Sequence, residues 1–79
     1  MVSLREKLFI FIRTGRRGWK IPKSKKEVMN AERMEVIYAW DERNARKRLI
    51  KRLNYQSQVL GIRTYKEKHG PEIVSDSQA

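Results

Sequence analysis

The chain has 79 residues, no cysteine and one histidine, and its 19 Lys and Arg against nine Asp and Glu give a formal net charge of +10 and a pI near 10.4. This excludes disulfides and thiolate metal sites, leaves most metal chemistry without ligands, and points to a polyanionic partner. The length suits one domain with a thin core, to which a dimer partner would add stability.

The charge is sorted along the chain. Thirteen of the cations fall in residues 13–26 and 43–52, where there is no Asp or Glu. Between these blocks, residues 27–42 hold five acids and a single base, Arg33. The longest apolar run, residues 8–12, is far short of the roughly 20 residues a membrane helix needs. No small-residue cleavage site follows it, so no signal peptide is expected and the expected location is the cytoplasm or nucleoid.

In chain order, Ser3 with Glu6 has the spacing of a capping box and predicts a helix over residues 4–14. Leu4, Leu8, Phe11 and Ile12 recur at helical spacing, and Gly15 is placed to close the helix. The rival reading is a strand through residues 8–12, turning over 14–18 and returning through 19–21, since Phe and Ile suit strands. Residues 15–23 read as a loop broken by Gly15, Gly18 and Pro22, pinned to the body by Trp19 and Ile21.

A second capping box, Ser24 with Glu27, starts a long helical pattern. At 100° steps, Ala31, Met34, Tyr38, Ala45, Leu49, Leu53 and Leu60 fall on one stripe, with Gln56 its one polar member. Residues 41–44 mark a change of character or a tight turn between two shorter helices, and Glu42 is placed to pair with Arg46 if the helix is continuous. Gly61 is a C-cap candidate, residues 62–68 fit a short strand or a last turn, and His69, Gly70 and Pro71 stop it.

The expected fold class is therefore mainly α: a small helical domain with an N-terminal helix, a basic loop and a long or broken second helix. A short β element is the alternative within it. Residues 1–70 form the domain, residues 71–79 a disordered tail, and the protein is expected to be dimeric.

Two groups of cations carry the functional expectation. Arg13, Arg16, Arg17, Lys20, Lys23, Lys25 and Lys26 lie on the loop and at the start of the long helix, where phosphate is favoured. The spacing of a Walker loop is absent, so nucleotide hydrolysis is not indicated. Arg43, Lys47 and Lys51 line one helix face four residues apart, flanked by Arg46, Arg48 and Arg52. A helix of that kind fits the DNA major groove, with Asn44 available to read adenine. Met29, Val36 and Trp40 form an apolar patch suited to a partner interface.

The order of helix, glycine, Ile21, Pro22, Lys23, Ser24 and second helix is similar in outline to the opening of helix-turn-helix and winged-helix DNA-binding domains, over about 25 residues. It specifies no invariant side chain. Catalysis lacks its parts: His69 has no second imidazole, and adjacent Asp41 and Glu42 diverge on a helix. The expectation is a non-enzymatic nucleic-acid-binding protein, duplex DNA ahead of RNA or the ribosome, with no cofactor or metal. Its rival is a protein-binding adaptor or inhibitor that docks the Met29, Val36 and Trp40 patch on a larger protein such as a polymerase or nuclease.

Overall fold

Residues 7–13 read Lys-Leu-Phe-Ile-Phe-Ile-Arg, a run of β-branched and aromatic side chains that suits a pleated surface with both faces apolar. In the computed structural model, which describes residues 6–74, this run is a strand, β1 (Lys7–Arg13). It pairs along its whole length with β2 (Arg33–Ala39) in antiparallel register, from Lys7 opposite Ala39 to Arg13 opposite Arg33. Between them lies a six-residue helix, α1 (Lys25–Asn30), and after them come α2 (Glu42–Leu60) and α3 (Ile62–His69).

The mainly helical expectation is thus corrected to a mixed α/β domain, an antiparallel strand pair followed by two helices. Two elements account for the correction. The helix expected over residues 4–14 is β1, and Gly15 takes its left-handed φ of 61° in a turn after a strand. Its supposed capping Ser3 lies outside the described residues. The Glu6 carboxylate instead reaches Arg48 at 3.0 Å.

The second correction is to the long helix. It stops after Asn30, and Ala31 turns to extended backbone (φ −71°, ψ 140°). From Met34 onward the apolar residues also alternate, Met34, Val36, Tyr38 and Trp40, and that period of two prevails over the helical one because β1 supplies a partner. The outline of a helix-turn-helix opening falls with the first helix. The rival hairpin was right about the strand and in part about its return, since Ile12 and Lys20 exchange both backbone hydrogen bonds at 2.8 and 2.9 Å. That return makes a single bridge, and the full partner strand comes from β2.

Other local signals are met. Ser24 caps α1, its hydroxyl accepting from the Glu27 N–H at 3.3 Å. The changeover at residues 41–44 is a helix start, where the Asp41 carboxylate accepts from the Asn44 N–H at 2.9 Å. Gly61 ends α2 with a φ of 85° and Gly70 ends α3 with a φ of 74°.

The strand pair has two unlike faces. Phe9, Phe11, Ile37 and Ala39 turn inward onto Ala45, Leu49 and Leu53 of α2, and Trp19 completes this core. Each fully buried leucine there is worth about 1.5–3 kcal/mol. Of the expected helical stripe, Ala45, Leu49 and Leu53 are buried, whereas Met34, Tyr38 and Leu60 are exposed. The opposite face of the sheet carries Leu8, Ile10, Val36, Met34 and Tyr38, with Trp40 just beyond the end of β2. Leu8, Met34 and Tyr38 each leave about half their surface in solvent (51%, 52% and 56%).

At the far end of the inner face, Arg13 and Arg33 stand directly opposite each other. Like charges in that position repel. Glu72 resolves the conflict: Oε2 accepts from Arg13 Nη1 at 3.1 Å and Trp19 Nε1 at 2.7 Å, and Oε1 from Arg33 Nη1 at 2.5 Å and from the Tyr65 hydroxyl. The Arg33 guanidinium lies 4.8 Å from the centre of the Trp19 ring. Residues 71–74, assigned from sequence to the tail, are tied to this hub, with Arg13 Nη2 donating to the Pro71 carbonyl at 2.6 Å and the Trp19 N–H to the Ile73 carbonyl at 3.0 Å.

Candidate nucleic-acid interface

Once Ala45, Leu49 and Leu53 face the sheet, the 100° turn per residue sends Arg43, Lys47 and Lys51 outward as an exposed ridge about 12 Å long. None of the three has a carboxylate within ion-pair distance among the described residues. Asn44 is half-buried beside the Asp41 cap. Arg46 leans the other way. It pairs with Glu42 at 3.0 Å, as its i,i+4 spacing predicts, and its guanidinium sits 5.5 Å from the Phe11 ring centre, so it covers the core.

Arg48 and Arg52, the ridge's neighbours, guard the sheet. Ile12 directs its backbone groups to Lys20, so by the alternation of an antiparallel ladder Val36 and Tyr38 point theirs away from β1, toward the open edge of β2. Arg52 Nη1 donates to the Val36 carbonyl at 3.0 Å and Arg48 Nη1 to the Tyr38 carbonyl. Each also pairs with an acid, Arg52 with Glu35 at 3.1 Å and Arg48 with Glu6 at 3.0 Å. An unpaired strand edge invites another strand, and these two arginines occupy two of its acceptors.

The loop block divides in the same manner. Arg13 is fully buried and bound to Glu72, the Pro71 carbonyl and, through Nε, the Arg17 carbonyl at 2.8 Å. The structure therefore takes it out of the exposed surface. Lys20 is paired with Glu27, which also accepts the Lys23 N–H. These bonds, the Lys20 one foremost, hold the Glu27 carboxyl below its ordinary range. Glu27 thus already fills the anion position at the start of the short α1. Arg16, Arg17, Lys23, Lys25 and Lys26 are exposed, with no ion pair among the described residues.

Of the apolar patch, Val36 lies on the outer sheet face and Trp40 follows the end of β2, 36% and 46% exposed. Met29 is 84% exposed on α1, a separate element.

Sequence reasoning missed the Glu72 hub and the basic end of α3. Burial works to raise the Glu72 carboxyl, but hydrogen bonds from Arg33, Trp19 and Tyr65 outweigh it and hold the group below the usual carboxylate range. Burial likewise opposes the charge on Arg33, and its bonds to Glu72 and Tyr65 prevail to raise its pKa. His69 is pushed down, by burial first and then by Arg33 and Lys68. Arg63, Lys66, Lys68 and the single histidine near the end of the chain were the available signal for a third basic region, but they lie outside the two dense blocks.

Among the described residues no helix is long and apolar enough to cross a membrane. Comparison with protein-family models, curated proteins and solved structures finds no match for this chain.

Proposed function

We propose that this is a non-enzymatic nucleic-acid-binding protein that grips the phosphate backbone, duplex DNA ahead of structured RNA, in a regulatory role and in the cytoplasm or nucleoid. The observation that carries this reading is selective neutralisation. Where cations serve the fold they are matched by acids, yet Arg16, Arg17, Lys23, Lys25, Lys26, Arg43, Lys47 and Lys51 stay exposed and unpaired among the described residues. Holding so many unmatched charges costs self-repulsion, which a polyanion relieves. Lysine and arginine in a row favour phosphate contacts, and the half-buried Asn44 adds little base reading. The test is a titration of a labelled duplex with the wild type and with Arg43→Gln/Lys47→Gln/Lys51→Gln. A large loss of affinity in a variant with an unchanged melting curve supports the reading, and equal affinity refutes it.

A second reading draws on the outer sheet face. Leu8, Ile10, Met34, Val36, Tyr38 and Trp40 make an apolar platform in a strongly basic chain, which fits an apolar patch with acidic surroundings on a larger protein. Here the protein is an adaptor or inhibitor. A monomer that forms a stoichiometric, nuclease-resistant complex lost in Tyr38→Glu/Trp40→Glu favours it. A stable dimer that shields Trp40 from a fluorescence quencher counts against it.

A further inference from the structure

We propose that the groove between the loop after β1 and the end of α3 is a binding site for a phosphate group, with Arg16 and Lys68 as its arms and Arg33 as its base. The inference deepens the nucleic-acid reading and rests on it only for the source of the phosphate.

The groove encloses about 410 Å³ and is lined by Gly15, Arg16, Glu32, Arg33, Lys68, His69 and Gly70. Its walls come from the loop, the start of β2 and the last turn of α3, so residues up to 55 positions apart converge there. The exposed Arg16 side chain lies against Gly70. Its stem lies across Gly70 so closely that a Cβ at that position would sit 3.2 Å from Nε and 3.3 Å from Cδ and Cγ. Gly70 also has the positive φ of 74° that ends α3, so one glycine both stops the helix and seats the arginine.

The charge in and behind the groove is unbalanced. Arg16 and Lys68 have no carboxylate partner among the described residues. Arg33 spends Nη1 on Glu72 and Nη2 on the Tyr65 hydroxyl, which leaves further N–H groups on its five-donor fork. The groups facing His69 are Lys68 and Tyr65 on its own helix, the Tyr65 ring 4.6 Å from the imidazole, Tyr55 from α2, Arg13 and Arg16 from β1 and its loop, Glu32 and Arg33 at the start of β2, and Glu72 from the final segment. Glu32 already accepts the Gly15 N–H through Oε1 at 3.1 Å, and Glu72 is saturated by its four donors. Four cations thus stand against two carboxylates, and the excess is what an anion of charge one or two would neutralise. The His69 pKa is lowered by burial first and then by the charges of Arg33 and Lys68. Arginine forks match tetrahedral phosphate oxygens in geometry, and lysine adds a point charge.

His69 is the only histidine, so one imidazole resonance reports the groove directly. Its titration is followed by proton NMR on the full chain in three solutions at equal ionic strength: chloride alone, inorganic phosphate, and a short duplex with hydroxyl ends. An anion seated about 6 Å away moves the imidazole midpoint upward by about half a pH unit per charge. The proposal expects that rise with phosphate or with the duplex, and its loss in Arg16→Gln/Lys68→Gln. A rise with the duplex assigns the site to the nucleic-acid path. A rise with inorganic phosphate alone keeps the site and assigns it to a small phosphate ligand, whatever the fate of the duplex reading. No rise with either, or a rise that survives in the double variant, overturns the proposal even if the wild type binds DNA.

Discussion

Glutamate 72 holds together a cross-strand arginine pair, the indole of Trp19 and the hydroxyl of Tyr65, so its replacement is the sharpest probe of the fold. Glu72→Gln keeps the side chain's size but removes its charge and turns one acceptor into a donor. If the amide nitrogen faces Arg13 and Trp19, both of those bonds are lost. If it faces Arg33 and Tyr65, the tyrosine hydroxyl can rotate and the arginine bond is lost. A hydrogen bond to a charged group is worth about 1.5–3 kcal/mol and a neutral one about 0.5–1.5. Removing one partner of a buried ion pair costs about 3–5 kcal/mol, reduced here because the Glu72 side chain is 19% exposed. The expected loss is about 3 kcal/mol out of a total of roughly 4–12 for a chain of this size. For so small a domain that lowers Tm by about 12–24 °C. Circular dichroism and the fluorescence of buried Trp19, isolated in a Trp40→Phe background, both followed through a melt at neutral pH, measure it. Glu67→Gln, which removes only an exposed i,i+4 pair with Arg63, should shift Tm by about 4 °C at most. Equal shifts for the two variants would refute the hub.

The remaining expectations concern pH, a glycine and the sheet edge. Because the Glu72 carboxyl is held below its ordinary range, the unfolded chain binds its proton first as the solution is acidified. Its stabilisation is complete above the ordinary carboxylate pKa and is lost as pH falls through the lowered folded value, so the acid limb of Tm against pH should flatten in Glu72→Gln. Gly70→Ala should cost about 1–2 kcal/mol from its positive φ and displace the exposed Arg16 side chain by a few tenths of an ångström, and Gly61→Ala, with open space around it, should show the same conformational cost without moving a neighbour. Thermal melts compare the two. Arg48→Ala/Arg52→Ala uncovers the Val36 and Tyr38 carbonyls at the edge of β2 and should raise self-association in sedimentation, since exposed strand edges pair with one another. Sedimentation identical to the wild type would mean that the edge is protected by something else.

What could be read ahead of the coordinates was local. Ser24, Gly61 and Gly70 act within four residues of their own positions, and the stripe of Ala45, Leu49 and Leu53 needs only helical geometry. The strands were harder because Phe11 and Ile12 at helical spacing from Leu8, and Tyr38 four residues after Met34, satisfy a helix and a strand alike. The choice between them is made by pairing β1 with β2, which joins Arg13 to Arg33 across twenty residues. The surface divided for the same reason. Arg43, Lys47 and Lys51 are recognisable from spacing, but that Arg48 would meet Glu6 and Arg13 would meet Glu72 depends on folding partners 42 and 59 positions away. No local signal separates a cation that serves the fold from one left free.

If the unpaired cations neutralise nucleic-acid phosphates, as proposed, duplex binding weakens steeply with salt. Anisotropy titrations between about 50 and 200 mM salt should show log affinity falling by about 0.9 per log unit of salt for each phosphate engaged. With the α2 ridge alone supplying three contacts, a slope of about −2.7 or steeper is expected, reduced by about that amount in Arg43→Gln/Lys47→Gln/Lys51→Gln. Micromolar or weaker binding at low salt, or a slope that the triple variant leaves unchanged, would contradict the account.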